Sequence, residues 1–246
     1  MTHITLHTKN LSIGYKNKSN ATVVAKSISI HLEKGKFIAL IGCNGVGKST
    51  LLKTITKLIA PINGTVFLND KDLNDYNSQN LAKELSVVLT EHLPPSNLSV
   101  YEIIALGRQP YTNWLGKLSD KDKIKIDEAI KLTAIEAFQH KKHHEISDGQ
   151  MQKTLIARAL AQDTSLIILD EPTTHLDLVN KVTILKLLQK LAHQTQKTIL
   201  YSTHDIDLAI QLSDEIIVMN SEKTVQEEPC KLIEQGVFKT LFNNEH

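Results

Sequence analysis

Phe37-Ile38-Ala39-Leu40-Ile41-Gly42-Cys43-Asn44-Gly45-Val46-Gly47-Lys48-Ser49-Thr50 decides the fold of this chain. Phe37 to Ile41 is an apolar run as long as a buried strand, and Gly42 to Ser49 fits the pattern GxxxxGK[ST]. Strand, glycine loop and helix in that order is the context in which the pattern binds phosphate. The glycines let backbone N–H groups close round a phosphate chain, and the opening helix adds its positive end. Gly42, Cys43, Asn44, Gly45, Val46, Gly47, Lys48, Ser49 and Thr50 are therefore the expected nucleotide contacts. Lys48 supplies a point charge to the outer phosphates, and the Ser49 hydroxyl is placed to reach a Mg²⁺. A glycine turn before an ordinary helix has a similar composition, but the order of the three elements argues against it.

Leu166 to Leu169 is a second fully apolar run, and it ends on Asp170-Glu171. An acid at the end of a buried strand beside a phosphate loop can hold Mg²⁺, and the acid after it can polarise a water for attack on a γ-phosphate. Taken alone, the pair could equally be a surface acid pair at a strand end. Ile146-Ser147-Asp148-Gly149-Gln150 reads as a helix start. Ser147 at the N-cap with Gln150 three residues on is a capping box, and Asp148 suits the helix dipole. The same N–H groups that need a cap can bind an anion.

With these stretches in this order, the chain resembles the ATP-binding subunits of ABC transporters, from about Leu11 to about Phe242. The phosphate loop matches Walker A, Ile146 to Gln150 matches the signature motif (usually LSGGQ), and Leu166 to Glu171 matches Walker B. Thr174-His175-Leu176-Asp177 resembles the D-loop, and Ser202-Thr203-His204-Asp205 resembles the switch-histidine segment. Tyr15 stands where the family has its adenine-stacking aromatic.

The resemblance implies an α/β fold: a P-loop NTPase core of ABC type with an antiparallel β subdomain and an inserted helical subdomain. It divides the single domain, 1–246, into a nucleotide-binding core at 1–90 and 146–246 and a helical subdomain at 91–145 that contacts a permease. It implies ATP and Mg²⁺ as cofactors. Glu171 would be the catalytic base, His204 would orient its water and touch the γ-phosphate, and Lys48 would act on the phosphates. Ser49, Asp170 and Glu91 would face the metal. Ser147, Gly149 and Gln150 would face the γ-phosphate held by a second copy, with Asp177 at the interface. The implied assembly is a head-to-tail homodimer about a two-fold axis.

The chain departs from the family pattern twice. Asp148 replaces the usual first glycine of the signature motif. A carboxylate ~7 Å from a phosphate charge costs roughly 2–3 kcal/mol per unit charge at an effective dielectric of about 20. Asp148 must therefore point away, find a partner (Lys141 and Lys142 are near in sequence), or weaken binding. Glu91, in Val88-Leu89-Thr90-Glu91-His92, replaces the usual glutamine and keeps an oxygen ligand for the metal.

Composition is consistent with this reading. At 246 residues and 41% hydrophobic content, the chain can bury the core of one large domain. A net charge of +1 gives no electrostatic case for nucleic acid. The two cysteines, Cys43 and Cys230, make no disulfide framework and suit a reducing compartment. Met1-Thr2-His3-Ile4 shows no charged leader, and no run approaches the ~20 apolar residues that span a bilayer. The expectation is a peripheral protein on the cytoplasmic face of the membrane. It would work with integral membrane permease subunits and, indirectly, with a substrate-binding protein.

Patterning predicts strands with a polar loop at Lys16 to Asn20 between Leu11 and Leu32, and a helix from Ser49 to Ile59. Asn63-Gly64 reads as a hairpin turn before a strand at Thr65 to Leu68. A strand at Ser86 to Leu89 comes next, and then helices at Val100 to Leu106 and Lys121 to Phe138. After them come helices at Gln150 to Ala161, Leu178 to Gln194 and Ile206 to Leu212 alternating with strands, which implies a mostly parallel sheet. His140, His143 and His144 read as a solvated segment.

Leu93-Pro94-Pro95 and Leu106-Gly107-Arg108-Gln109-Pro110-Tyr111 carry a finer resemblance to subunits importing iron–siderophores, haem and vitamin B12, which have an LGRYP-like stretch. Gln162-Asp163-Thr164 and Thr173-Thr174-His175-Leu176-Asp177 point the same way. A plainer reading makes Arg108 to Trp114 a loop anchored by Tyr111 and Trp114. The expected function is ATP hydrolysis driving uptake of a ferric chelate, with haem or cobalamin import as the alternative. A soluble non-transport ABC ATPase is the competing class. It is disfavoured because the chain has no long heptad coil and only one phosphate loop.

Overall fold

The structure is a computed structural model that describes residues 3–16, 20–89, 96–220 and 223–238. The amino-terminal part runs β1 (Ile4–Lys16), β2 (Ala21–Ile28), β3 (His31–Glu33), β4 (Phe37–Gly42), α1 (Lys48–Ile55), β5 (Asn63–Leu68), β6 (Lys71–Asp72), α2 (Ser78–Leu81) and β7 (Leu85–Val88). Helices α3 (Val100–Ala105), α4 (Asp120–Thr133) and α5 (Asp148–Ala161) come next. The chain then alternates β8 (Leu166–Leu169), α6 (Leu178–Thr195), β9 (Thr198–Ser202), α7 (Ile206–Leu212) and β10 (Glu215–Met219), and closes with β11 (Thr224–Glu227) and α8 (Pro229–Glu234).

Two sheets form. The larger has the order β11-β10-β4-β9-β8-β7, parallel throughout except for the antiparallel edge strand β11. The smaller is antiparallel, β2-β1-β5-β6 with β3 also on β1. Side-chain period sorts the parallel strands between two cores. Phe37, Ala39, Ile41, Ile167, Leu169, Ile199 and Tyr201 turn to the face covered by helices. Ile38, Leu40, Leu166, Ile168 and Leu200 turn to the face covered by the antiparallel sheet and α1. Helices α3 and α4 pack on α5 and share the first of these cores.

Several expected boundaries move. Helix α1 stops at Ile55, not Ile59, because Lys57 takes a left-handed conformation at φ 63. Leu58 N–H then bonds the Lys53 carbonyl and Lys57 N–H the Thr54 carbonyl, a Schellman closure with lysine at the usual glycine position. Lys57 is held there by its ammonium, which donates to the Asn74 and Tyr76 carbonyls at 3.0 and 2.6 Å. Ala134, at φ 53, ends α4 at Thr133 in the same way, and Glu136–Phe138 is a separate 3-10 turn.

Asn63-Gly64 is not a hairpin turn. Both residues lie inside β5, opposite a register shift between Lys9 and Ser12 of β1. Gly64 has φ +81, and a Cβ there would sit 2.4 Å from the Asn10 carbonyl, so the glycine serves a close strand approach. The tight hairpin lies one strand later, at Asn69-Asp70 between β5 and β6, where both residues have positive φ of 49 and 62.

Candidate functional site

Three neighbouring strands, β4, β9 and β8, end at one edge of the parallel sheet. Each delivers one part of the site just past its carboxyl end, the usual place for ligands in an open α/β sheet. Strand β4 leads into the phosphate loop. Gly47 is the N-cap of α1 at φ 110, with no side-chain cap. A Cβ on Gly47 would lie 2.6 Å from Val24 Cγ1, so only glycine lets the loop turn there against β2. The first turn of α1 thus presents N–H groups that no side chain caps, a ready anion site. Cys43 turns its side chain toward the larger core and leaves its backbone on the loop.

Lys48 is 6% exposed, and its ammonium donates to the Gly42 and Cys43 carbonyls at 2.7 and 3.2 Å. Burial pushes its pKa down, opposed chiefly by the nearby Glu171 carboxylate, with Asp170 adding to it. A phosphate chain would supply stronger partners than these carbonyls.

Strand β8 delivers the acids. Asp170 is 8% exposed, and its Oδ1 accepts from Ser202 Oγ at 2.7 Å and faces Ser49 Oγ at 3.4 Å. Ser202 Oγ also accepts the Glu171 N–H at 2.8 Å. This hydroxyl fixes both acids because Leu169 is the register partner of Tyr201, which places Asp170 beside Ser202. Glu171 has a positive φ of 48, which swings its side chain off the strand line. Its Oε1 lies 2.7 Å from His204 Nε2, and its Oε2 accepts from Thr174 Oγ1 at 3.0 Å. A carboxylate held this way beside a phosphate loop can take a proton from water. The oxygens of Ser49 and Asp170 fit a hard divalent cation, which prefers oxygen ligands.

Tyr15, at the end of β1, is 48% exposed and stands beside α1, its hydroxyl 3.1 Å from Thr50 Oγ1. Ser147 caps α5 in the expected capping box with Gln150, at 3.4 and 3.1 Å. Gly149 abuts the Asn180 side chain at the start of α6. Asp177 caps α6 through the Asn180 N–H at 2.9 Å, and the bonds from Asn180 hold its carboxyl below the usual carboxylate range. Among the described residues, Ser147, Gly149, Gln150 and Asp177 make no hydrogen bond to the phosphate loop. Glu91 lies outside the described residues, as do Leu93, Pro94 and Pro95.

A cavity of about 120 Å³ separates α5 from the loop after β8, and Asp148, Gln152, Asp170, Glu171, His175 and His143 line it. His140 and His144 are exposed, as a solvated segment requires, whereas His143 between them is half-buried and its Nδ1 is buried without a hydrogen-bond partner. Asp148 faces this cavity and takes part in no ion pair among the described residues. Lys142 is turned to Glu102 instead, at 3.9 Å.

The Leu106–Tyr111 stretch is a 3-10 helix rather than a loop, and it is a structural tie. Arg108 is buried, donating from Nε to Asp122 Oδ1 at 2.9 Å and from its terminal nitrogen to the Ala161 carbonyl at 2.7 Å. Tyr111 stacks on the guanidinium at 3.9 Å. Trp114 anchors nothing, being 92% exposed.

Sequence reasoning missed Ser202 and Thr174 as supports of the acids. Both stood inside recognised stretches, but only the pairing of β8 with β9 shows what Ser202 reaches.

A family model described as ABC transporter matches residues 25–174. The achromobactin transport ATP-binding protein CbrD of Dickeya dadantii is 36% identical over 244 residues, covering 99% of this chain and 88% of that protein. The iron(3+)-hydroxamate import ATP-binding protein FhuC of Bacillus subtilis is 36% identical over 238 residues, covering 96% and 87%. A solved dimeric ATP-binding cassette in a post-hydrolysis state, bound to ADP and Pi, superposes with a TM-score of 0.76 at 30% identity, covering 91% of this chain and 98% of that one.

Proposed function

The chain belongs to the ABC transporter family and is an ATPase of the importer kind, and from that premise we propose that it drives uptake of a ferric siderophore or a related iron chelate through a separate membrane permease. The observation that carries the catalytic half is the convergence of Ser49, Asp170, Glu171 and His204 at the ends of three adjacent strands. The substrate rests on the likeness to relatives named for achromobactin and iron(3+)-hydroxamate transport, together with the Leu106 to Tyr111 stretch.

In this reading ATP lies along Gly42 to Thr50 with its adenine on Tyr15. Lys48 exchanges its loop carbonyls for phosphate oxygens. Ser49 and Asp170 would hold Mg²⁺, which would neutralise phosphate charge. Glu171 takes the proton of the attacking water, and His204 holds the Glu171 carboxylate in place. Ser147, Gly149 and Gln150 serve the ATP of a second copy, with Asp177 between the two copies, so hydrolysis needs a head-to-tail pair. Residues 91–145 are taken as the permease-docking subdomain, Glu91 as a further metal-facing group, and the site of action as the cytoplasmic face of the membrane. No helix among the described residues is long and apolar enough to cross a membrane. The isolated chain is expected to be a weak ATPase, because the permease raises the effective concentration of one copy about the other.

The deciding experiment deletes the gene and measures uptake of labelled ferric siderophore, haem and cobalamin separately. Loss of siderophore uptake is expected. Loss of haem or cobalamin uptake alone moves the substrate to that alternative, and unchanged uptake of all three, with no redundant importer, removes the transport role.

A further inference from the structure

Lys181 lies in the second turn of α6, and its backbone N–H donates to the Asp177 carbonyl at 2.9 Å. Its ammonium reaches across to the neighbouring α7 and meets Asp205 Oδ2 at 2.9 Å. Asp205 is the N-cap residue of α7, yet its carboxylate makes no cap bond. An aspartate at that position ordinarily bonds the N–H groups of the first helical turn. Here its side chain is turned to Lys181 instead, while its own N–H is held by Thr203 Oγ1 at 3.0 Å. His204 sits between Thr203 and Asp205 and points its Nε2 at Glu171.

We propose that Lys181 is a positioning residue for ATP hydrolysis: by holding Asp205 it fixes the short segment that aims His204 at Glu171, and it ties that segment to the helix beginning at Asp177. This rests on the reading of Glu171 and His204 as the hydrolytic pair. The pair Lys181–Asp205 is 26% and 35% exposed, so as a stability element it contributes little. Its effect lies in geometry, since a displacement of about 1 Å at a reacting group can cost up to ~10²-fold in rate.

The test compares Lys181→Met, Lys181→Arg, Asp205→Asn and the Lys181→Met/Asp205→Asn double variant in the complete chain assembled with its permease, with His204→Ala as the control. Lys181→Met is expected to lower kcat roughly 3- to 30-fold, with KM for ATP unchanged within about twofold and Tm within about 2 °C. Lys181→Arg should restore most of the rate, because it keeps a cation within reach of Asp205. Asp205→Asn should match Lys181→Met, and the double variant should fall no further, as expected for two residues acting as one unit. Wild-type kcat in Lys181→Met, additive losses in the double variant, or a rate loss that tracks a fall in Tm would each overturn the proposal. If His204→Ala itself keeps full activity, the hydrolytic reading fails and this inference falls with it. If His204→Ala is impaired and Lys181→Met is not, only this inference fails.

Discussion

Glu171 and His204 stand 33 residues apart in sequence and 2.7 Å apart in space. Neither is positioned by its own segment alone. Glu171 is turned by a positive φ and pinned by Ser202 and Thr174, and His204 follows Thr203 just past the strand that ends on Ser202. Glu171→Gln keeps the shape and loses the basic oxygen. It is expected to bind ATP normally, to trap an ATP-bound pair of chains, and to lose turnover by about 10²–10⁴-fold. Steady-state ATPase assays check this, and a variant keeping more than about a tenth of wild-type rate would remove Glu171 as the base.

Ser202→Ala removes one hydroxyl that serves two acids. The Glu171 N–H loses its partner and Asp170 loses a donor, so a stability loss of about 1–3 kcal/mol is expected in urea melts. The rate should fall with it while ATP affinity changes little, because the phosphate loop is untouched. Unchanged stability and unchanged kcat together would mean that water replaces the hydroxyl without loss.

Tyr15 is about half exposed beside α1, and its hydroxyl lies within hydrogen-bond distance of Thr50. Stacking depends on the ring, so Tyr15→Ala should weaken nucleotide binding. Tyr15→Phe should weaken it far less, by no more than the loss of one part-buried hydrogen bond, about 0.5–1.5 kcal/mol. Titration of all three proteins with a fluorescent ATP analogue checks this, and equal affinities would take Tyr15 out of the site.

Asp148 faces the cavity beside Glu171 with no ion pair among the described residues. Asp148→Asn keeps the helix start and removes the charge. In a Glu171→Gln background it should let ATP-bound pairs form at lower ATP concentration. The advantage should shrink in about 1 M salt, where the screening length falls to about 3 Å, well below the ~7 Å separation. Light scattering against ATP concentration reads the effect, and a variant pairing no more readily than its parent would show that Asp148 faces away from the bound phosphate.

Arg108 and Asp122 form a pair with side chains 3% and 4% exposed. Arg108→Met leaves a buried carboxylate without its partner and is expected to destabilise the chain by about 3–5 kcal/mol. Burial alone would raise the Asp122 carboxyl, but hydrogen bonds from Ser119 and the Arg108 guanidinium outweigh it and hold the group below the usual carboxylate range. A depressed folded-state pKa contributes stability that is fully present above the unfolded value, ~3.9, and is lost as pH falls through the lower folded value. The difference between wild type and Asp122→Asn should therefore be constant at neutral pH and narrow only below about pH 4. Denaturant melts across pH check this, and a difference that instead grows on acidification would contradict the sign.

Much of this protein is legible from local sequence. The phosphate loop, the Ser147 to Gln150 capping box and the apolar runs of β4 and β8 each depend on backbone conformation over a few residues, so residue types at fixed spacing identify them. Their order along the chain was enough to indicate the family. Asn63-Gly64 misled because the same dipeptide suits both a tight turn and a strand that must pass close to another backbone, and only the approach of Asn10 distinguishes them. Lys57 and Ala134 ended helices early in a conformation that nothing about a lysine or an alanine announces. What only the tertiary structure decided is which distant parts meet. Strand β9 comes after β8 in sequence but lies between β4 and β8 in the sheet, and that insertion brings Ser202 to Asp170 and His204 to Glu171. Tertiary packing among the helices likewise puts Arg108 in a buried pair with Asp122 of α4 and leaves Trp114 in solvent. The physical reason is that strand order depends on how whole faces pack across the sheet, and a preference distributed over two cores leaves no mark in any short window of sequence.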